Sequence, residues 1–132
     1  DADLTSVPLD ARNKFGVTLL HKACRYPNWI AARYIARQRP DLITTPDDLG
    51  RLPLHDACWN EKVDFGVVSL LVRYHPPSLV AKDNRGHTPL CYVPRKVWPS
   101  WNAYLAESLR QTILRRKRHR RVDDENAAND DD

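Results

Sequence analysis

His21 and Cys24 stand three residues apart, and His55 and Cys58 repeat that pair 34 residues later. Residues three apart on a helix are neighbours, so each pair would set an imidazole base beside a thiol nucleophile. Thiol catalysis also requires a third group to orient the base and an oxyanion site in a pocket. No converging constellation of that kind is visible, and the chain's 4 glycines leave little room for a phosphate-binding loop. The other chemistry open to these residues is a metal centre built from Cys24, Cys58, His21 and His55. Zinc takes closely paired ligands converging on one point, whereas these ligands are a whole repeat apart. Small buried thiols are the simpler reading. An odd cysteine count, 3, argues against a disulfide framework and for a reducing, intracellular setting. The expectation is no enzyme, no metal and no cofactor.

What positions these residues is a repeating unit. Leu52-Pro53-Leu54-His55-Asp56-Ala57-Cys58 is preceded by Thr18-Leu19-Leu20-His21-Lys22-Ala23-Cys24 and followed by Thr88-Pro89-Leu90-Cys91-Tyr92-Val93. Each copy begins two residues after a glycine, Gly16, Gly50 or Gly86. Asn13, Asp47 and Asp83 stand three before those glycines. A side chain that bonds its own backbone, followed by a residue tolerating positive φ, makes a tight turn. Ser6, Pro40 and Pro76 lie ten before the glycines, each followed by an apolar pair or its remnant. Thr18 and Thr88 suit helix N-caps, and Pro53 and Pro89 suit first helical positions. Leu52 replaces the capping threonine in the middle copy, an expected loss on the order of 1 kcal/mol. Amphipathic stretches at residues 30–35 and 67–71 supply a second helix to each of the first two units.

The T-P-L-H-x-A core at intervals of 34 and 36 residues resembles the ankyrin-repeat family. The resemblance covers residues 6–93, specific in the middle copy and degraded in the third. It implies an all-α fold, an ankyrin-repeat solenoid of helix-turn-helix units with a C-terminal capping helix. The repeats fall near 13–46, 47–82 and 83–114, within a domain spanning 1–114. It also implies that the repeated histidine bonds across to a neighbouring turn, and that turn tips and first-helix faces form one concave binding surface.

Carried over by position, that surface holds Lys14, Phe15, Lys22, Arg25 and Tyr26 from the first unit. Arg51, Asp56, Trp59 and Asn60 come from the second, and Arg85, His87 and Tyr92 from the third. Aromatic and arginine side chains are the usual anchors of protein interfaces. Five cations, Lys14, Lys22, Arg25, Arg51 and Arg85, against Asp48 and Asp56 point to a protein partner with an acidic or acidic-aromatic segment. The plainer reading of such aromatics is packing between repeats, with Trp59 the first candidate.

The third unit departs from the pattern. Pro94 and Pro99 follow Val93 closely, so its first helix must be very short. Beyond Ser100, Trp101, Tyr104, Leu105, Ser108, Leu109, Thr112 and Ile113 share a stripe, read as a packing face with Trp98 and Trp101 covering the last repeat. Residues 115–121 carry six positive charges and 123–132 six negative, so the net +4 belongs to residues 1–114. The bland reading of 115–132 is a basic then acidic disordered tail that complements a helix end. The sharper readings are a nuclear localisation signal or a nucleic-acid contact. The adjacent acidic block screens the cations, which makes nucleic acid the alternative function rather than the first.

A 42% apolar content fits a globular chain, with no apolar run of membrane-spanning length. Asp1-Ala2-Asp3 is acidic where a signal peptide would be basic. Val7-Pro8-Leu9-Asp10 reads as the end of a preceding repeat. The expectation is therefore a monomer or part of a longer array, intracellular, cytoplasmic with the nucleus open to it.

Overall fold

The computed structural model describes residues 8–129. The expectations placed on Ser6, Val7 and Asp1-Ala2-Asp3, and on the acidic residues 130–132, lie outside that range. The described residues fall into two compact units, divided between Lys96 and Val97.

The first unit is built from two helix pairs. Helix α1 spans Leu19–Arg25 and α2 spans Trp29–Gln38. Helix α3 spans Pro53–Trp59 and α4 spans Phe65–Tyr74. α3 packs on α1, and α4 on α2, so the pairs stack in register. Among the described residues there is no strand, only an isolated antiparallel bridge between Arg12 and Thr18. The expected all-α class therefore holds.

Each helix starts where its sequence dictates. The Thr18 side chain accepts the His21 amide, Asn28 that of Ala31, and Asp64 those of Gly66 and Val67. These bonds satisfy donors that a helix's first turn leaves without partners. After α2 the chain turns through a 3₁₀ segment, Pro40–Thr44, that buries Leu42 and Ile43. After α4 it does the same at Pro76–Val80, where Ser78 is buried instead. The core between the pairs is Leu20, Ala23, Cys24, Ala32 and Ile35 against Leu54, Ala57, Cys58, Val67 and Leu71. Alanine and cysteine recur at the first-helix contact because only small side chains let the two backbones approach so closely.

The third repeat is cut short as its prolines require. Pro89–Tyr92 is a single 3₁₀ turn, and the Thr88 side chain caps no amide there. The α-helical cap expected of Thr88 is therefore not made. Its hydroxyl lies 3.4 Å from the Cys91 sulfur.

In the second unit α5 runs unbroken over Trp98–Asn129. The helix therefore continues through residues 115–129, which the sequence reading assigned to a disordered tail beyond 114. Arg, Lys, Glu and Ala are strong helix formers, and no proline or glycine interrupts the stretch. A charge block that repels itself can still hold a helix once the preceding stretch supplies the nucleus. Along the expected stripe Trp101 is buried, its ring meeting Tyr104 edge-on at 5.9 Å, while Leu109 and Ile113 are exposed. No helix among the described residues is long and apolar enough to cross a membrane.

Candidate interaction surface

Three turn tips carry the front of the surface. Asn13 Oδ1 accepts the amides of Phe15 and Val17, Asp47 Oδ1 those of Leu49 and Arg51, and Asp83 Oδ1 those of Arg85 and His87. Gly16, Gly50 and Gly86 close the turns at φ of 75, 76 and 80°. Consecutive tips are laced together: the Asp48 amide donates to the Phe15 carbonyl and the Asn84 amide to the Leu49 carbonyl, at 3.0 and 2.9 Å. The lacing is tight enough that a Cβ on Gly50 would stand 3.0 Å from the Asn84 backbone nitrogen.

The repeated histidines fasten tips to helices. His21 Nε2 lies 2.8 Å from the Arg51 carbonyl, and His55 Nε2 lies 3.0 Å from the His87 carbonyl. A carbonyl can only accept, so Nε2 carries the proton in both rings. Nδ1 then accepts the backbone N–H of Thr18 in one case and of Leu52 in the other. That second bond serves the helix start at which Leu52 offers no hydroxyl. Burial holds both imidazoles below their ordinary pKa, against the opposing pull of the carbonyl bonds. Cys24 and Cys58 are buried free thiols; burial pushes Cys24 well up and Cys58 to about 12. Each His–Cys pair thus consists of a ring with both nitrogens occupied and a thiol held protonated. Among the described residues no group of three or more His, Cys, Asp or Glu side chains is placed to hold a metal ion.

Between the first two tips and α1 lies an open cavity of about 490 Å³. Phe15, Tyr26 and Leu49 give it an apolar lining; Lys22, Arg25 and Arg51 give it charge, with Asp48 at the rim. Phe15 is 59% and Tyr26 70% exposed. Lys14 lies outside the lining, its ammonium 5.1 Å from the centre of the Phe15 ring. Arg51 is anchored by its Nε to Asp47 at 3.0 Å. The Arg25 guanidinium lies over the indole of Trp59 at 4.6 Å, and its buried Nε has no hydrogen-bond partner among the described residues. Trp59 is 48% exposed, so it neither packs fully between repeats nor stands free.

The structure redistributes several expected contact residues. Asp56 is not an exposed acid of the surface: it is only 6% exposed. Burial raises its carboxyl to about 7, with Arg51 and Arg25 pulling the other way. Helix α3 packs the face carrying it against α1, where Lys22, its counterpart one repeat earlier, stays in solvent. Asn60 is spent internally, its amide donating to the Arg25 carbonyl while its oxygen accepts the Lys62 amide. Tyr92 is likewise tied: its hydroxyl donates to Asp83, and its ring meets His55 and His87 edge-on, each at 5.7 Å. Burial opposes ionisation of Asp83, yet bonds from Tyr92 and from the His87 and Arg85 amides hold its carboxyl at about 2. Arg85 and His87 are exposed at the third tip, apart from the cavity.

No protein-family model matches the chain. A 93-residue stretch, 68% of the chain, is 37% identical to human SMC5-SMC6 complex localization factor protein 1, and 36% identical to the same protein from Bos taurus. An 83-residue stretch is 35% identical to neurogenic locus notch homolog protein 1 of Xenopus tropicalis. The chain spans only 8% of the length of the first two proteins and 3% of the third.

The lacing of Gly16 under Asp48 and of Gly50 under Asn84 was not among the features expected from the sequence. The signal was present: Asp48 and Asn84 each follow the turn aspartate directly, in consecutive repeats.

Proposed function

We propose that this chain is an ankyrin-repeat domain serving as a non-catalytic protein-interaction scaffold. Its partner contributes an acidic or acidic-aromatic segment. The observation that carries this reading is the cavity between the first two tips, where Phe15, Tyr26 and Leu49 stand among three cations. Apolar bodies flanked by guanidinium and ammonium groups fit a segment alternating carboxylates with rings. The laced tips, the twice-used histidine bridge and the stacked helix pairs support the family reading. The relatives lend a coarser support: one is named for localising a protein complex. The domain requires neither cofactor nor metal for this role, and acts as a monomer or within a longer array inside the cell.

The test compares two changes on a captured partner, Arg25→Ala and deletion of residues 115–132. Loss of binding with Arg25→Ala and retention after the deletion is the expected result. The reverse pattern would transfer the function to the basic end.

The second reading is a nucleic-acid-associated module. It is favoured by the exposed cations of Arg115–Arg121 on α5, and opposed by Asp123, Asp124 and Glu125 on the next turn. Phosphate binding would weaken steeply with added salt, whereas the cavity's apolar contacts would persist.

A further inference from the structure

We infer that occupation of the cavity by an acidic segment is coupled to uptake of a proton at Asp56, so that the partner binds more tightly as the medium turns from mildly alkaline to mildly acidic. The inference rests on the interaction reading above and adds a control to it.

The geometry begins on α3. Asp56, Trp59 and Asn60 follow one another at helical spacing and so share a face. That face is pinned to the end of α1: Asn60 bonds the Arg25 carbonyl, and Trp59 lies under the Arg25 guanidinium. Asp56 does not line the cavity itself; it is buried behind it, on the helix face that meets Arg25, and the two arginines that act on it, Arg25 and Arg51, both line the cavity.

Among the described residues the Asp56 carboxyl accepts no hydrogen bond and has no cation within ion-pair distance. The two arginines that act on it are committed elsewhere, Arg51 to Asp47 and Arg25 to Trp59. A carboxylate buried in that way is costly, and it accepts a proton near neutrality for that reason. The charged groups that face it are few. Arg51 and Arg25 favour its ionised form, and Asp47 opposes it. Cys24 on α1 stays protonated, and Tyr92, from the 3₁₀ turn packed on α3, is held on Asp83. α4 and the Pro40–Thr44 segment contribute Val68, Leu71, Leu42 and Ile43 to the core that they share with α3.

An incoming carboxylate brings a second negative charge to Arg25 and Arg51. While Asp56 is ionised, the two acids compete for the same pair of cations and repel each other. Protonation removes the competitor and the repulsion together. By linkage the effect is reciprocal: a bound acidic segment raises the proton affinity of Asp56 by the factor that protonation raises the segment's affinity.

The test uses a rhodamine-labelled synthetic peptide alternating Glu with Phe and Tyr, titrated by anisotropy at constant salt. Its own carboxylates stay ionised from pH 6 to 8. The expected result is binding about three- to tenfold tighter at pH 6 than at pH 8, the size of an ordinary coupling between sites. Asp56→Asn should bind at pH 8 as the wild type does at pH 6, with the dependence gone. Equal wild-type affinity at both pH values overturns the inference and leaves the cavity reading intact. No binding at either pH overturns both. A dependence that survives Asp56→Asn also overturns it, because Asp56 is then not the group that takes up the proton. Should Asp56→Asn fail to fold, the Asp56 carboxyl carbon is followed by NMR in the wild type. Its titration midpoint must rise when peptide saturates the cavity, and an unmoved midpoint rejects the coupling.

Discussion

The guanidinium of Arg25 lies over the indole of Trp59, 4.6 Å from the ring centre, and so joins the end of α1 to the end of α3 across the repeat boundary. Two of the side chains expected on the binding surface, an arginine and an aromatic, are thus each other's neighbours before any partner arrives. They behave as one unit, a flat cation on a flat ring whose outer side remains in solvent.

Truncating either member should cost about 1–3 kcal/mol of partner binding with little change in helix content. The double variant should cost less than the sum of the two, by about 0.5–1 kcal/mol, the worth of a partly exposed cation–π pair. A double-mutant cycle measures this. Additive losses would mean that the stack makes no joint contribution.

Asp56 makes a stability prediction independent of any partner. Its folded pKa, about 7, lies above the unfolded value, so the folded state holds the proton more tightly. Its effect on stability is therefore most favourable below the unfolded pKa and is lost as pH rises toward 7, at about 1.4 kcal/mol per pH unit. Asp56→Asn should be the more stable form at pH 8, and its advantage should shrink as pH falls. Urea midpoints at pH 5, 6.5 and 8 give the comparison.

His21 and His55 work in the opposite sense. Both folded pKa values are lowered, so their contribution is full above the unfolded pKa of about 6.5 and is lost as pH falls below it. His55→Ala should cost about 2–4 kcal/mol, because it strips the Leu52 amide and the His87 carbonyl of their partner at once. Its penalty should lessen at pH 5, and denaturant titration at two pH values decides it.

The turn glycines are not equivalent. Gly50→Ala and Gly86→Ala both force a side chain to positive φ, a strain of about 1 kcal/mol. Only at Gly50 would the new methyl also meet the Asn84 backbone, since Gly86 has nothing within 4 Å. Gly50→Ala should be the costlier by about 1–3 kcal/mol, read from thermal or urea midpoints. Equal costs would show that the second tip yields freely.

Cys91 should react with a thiol reagent in the folded protein, while Cys24 and Cys58 react only on unfolding. Burial keeps the latter two protonated, and only Cys91 is exposed. One fast and two slow thiols per chain is the expected count.

Much of the first unit was legible because its signals are local. Asn13, Asp47 and Asp83 announce turns that depend on their own backbone, and Pro53 and Pro89 announce helix starts. The exposure of Phe15 and Tyr26 followed from position in the repeat. What could not be read was decided between repeats. Asp56 and Lys22 occupy the same repeat position, but only Asp56 has an earlier repeat's Arg25 lying against its face. Asn60 looked free for the same reason, since its partner, the Arg25 carbonyl, is 35 residues away. Tyr92 is held both ways, by Asp83 of its own unit and by the ring of His55 from the unit before. The helix through 115–129 is hard to read because a run of like charge marks a solvated tail as readily as a helix, although most of its residues are strong helix formers.

The lacing of the tips has a direction. Each turn is roofed by the one that follows it, Gly16 by Asp48 and Gly50 by Asn84, and Gly86 by nothing within 4 Å. Loosening therefore has a preferred starting point, the third tip, and can reach the first only after the second has let go. Backbone amides should trade their protons for deuterium in that order, Asn84 before Asp48, as they do wherever opening proceeds in steps from a free edge. The cavity lies between the last two tips to open, so the floor on which a partner would rest is the most slowly exchanging part of the front face.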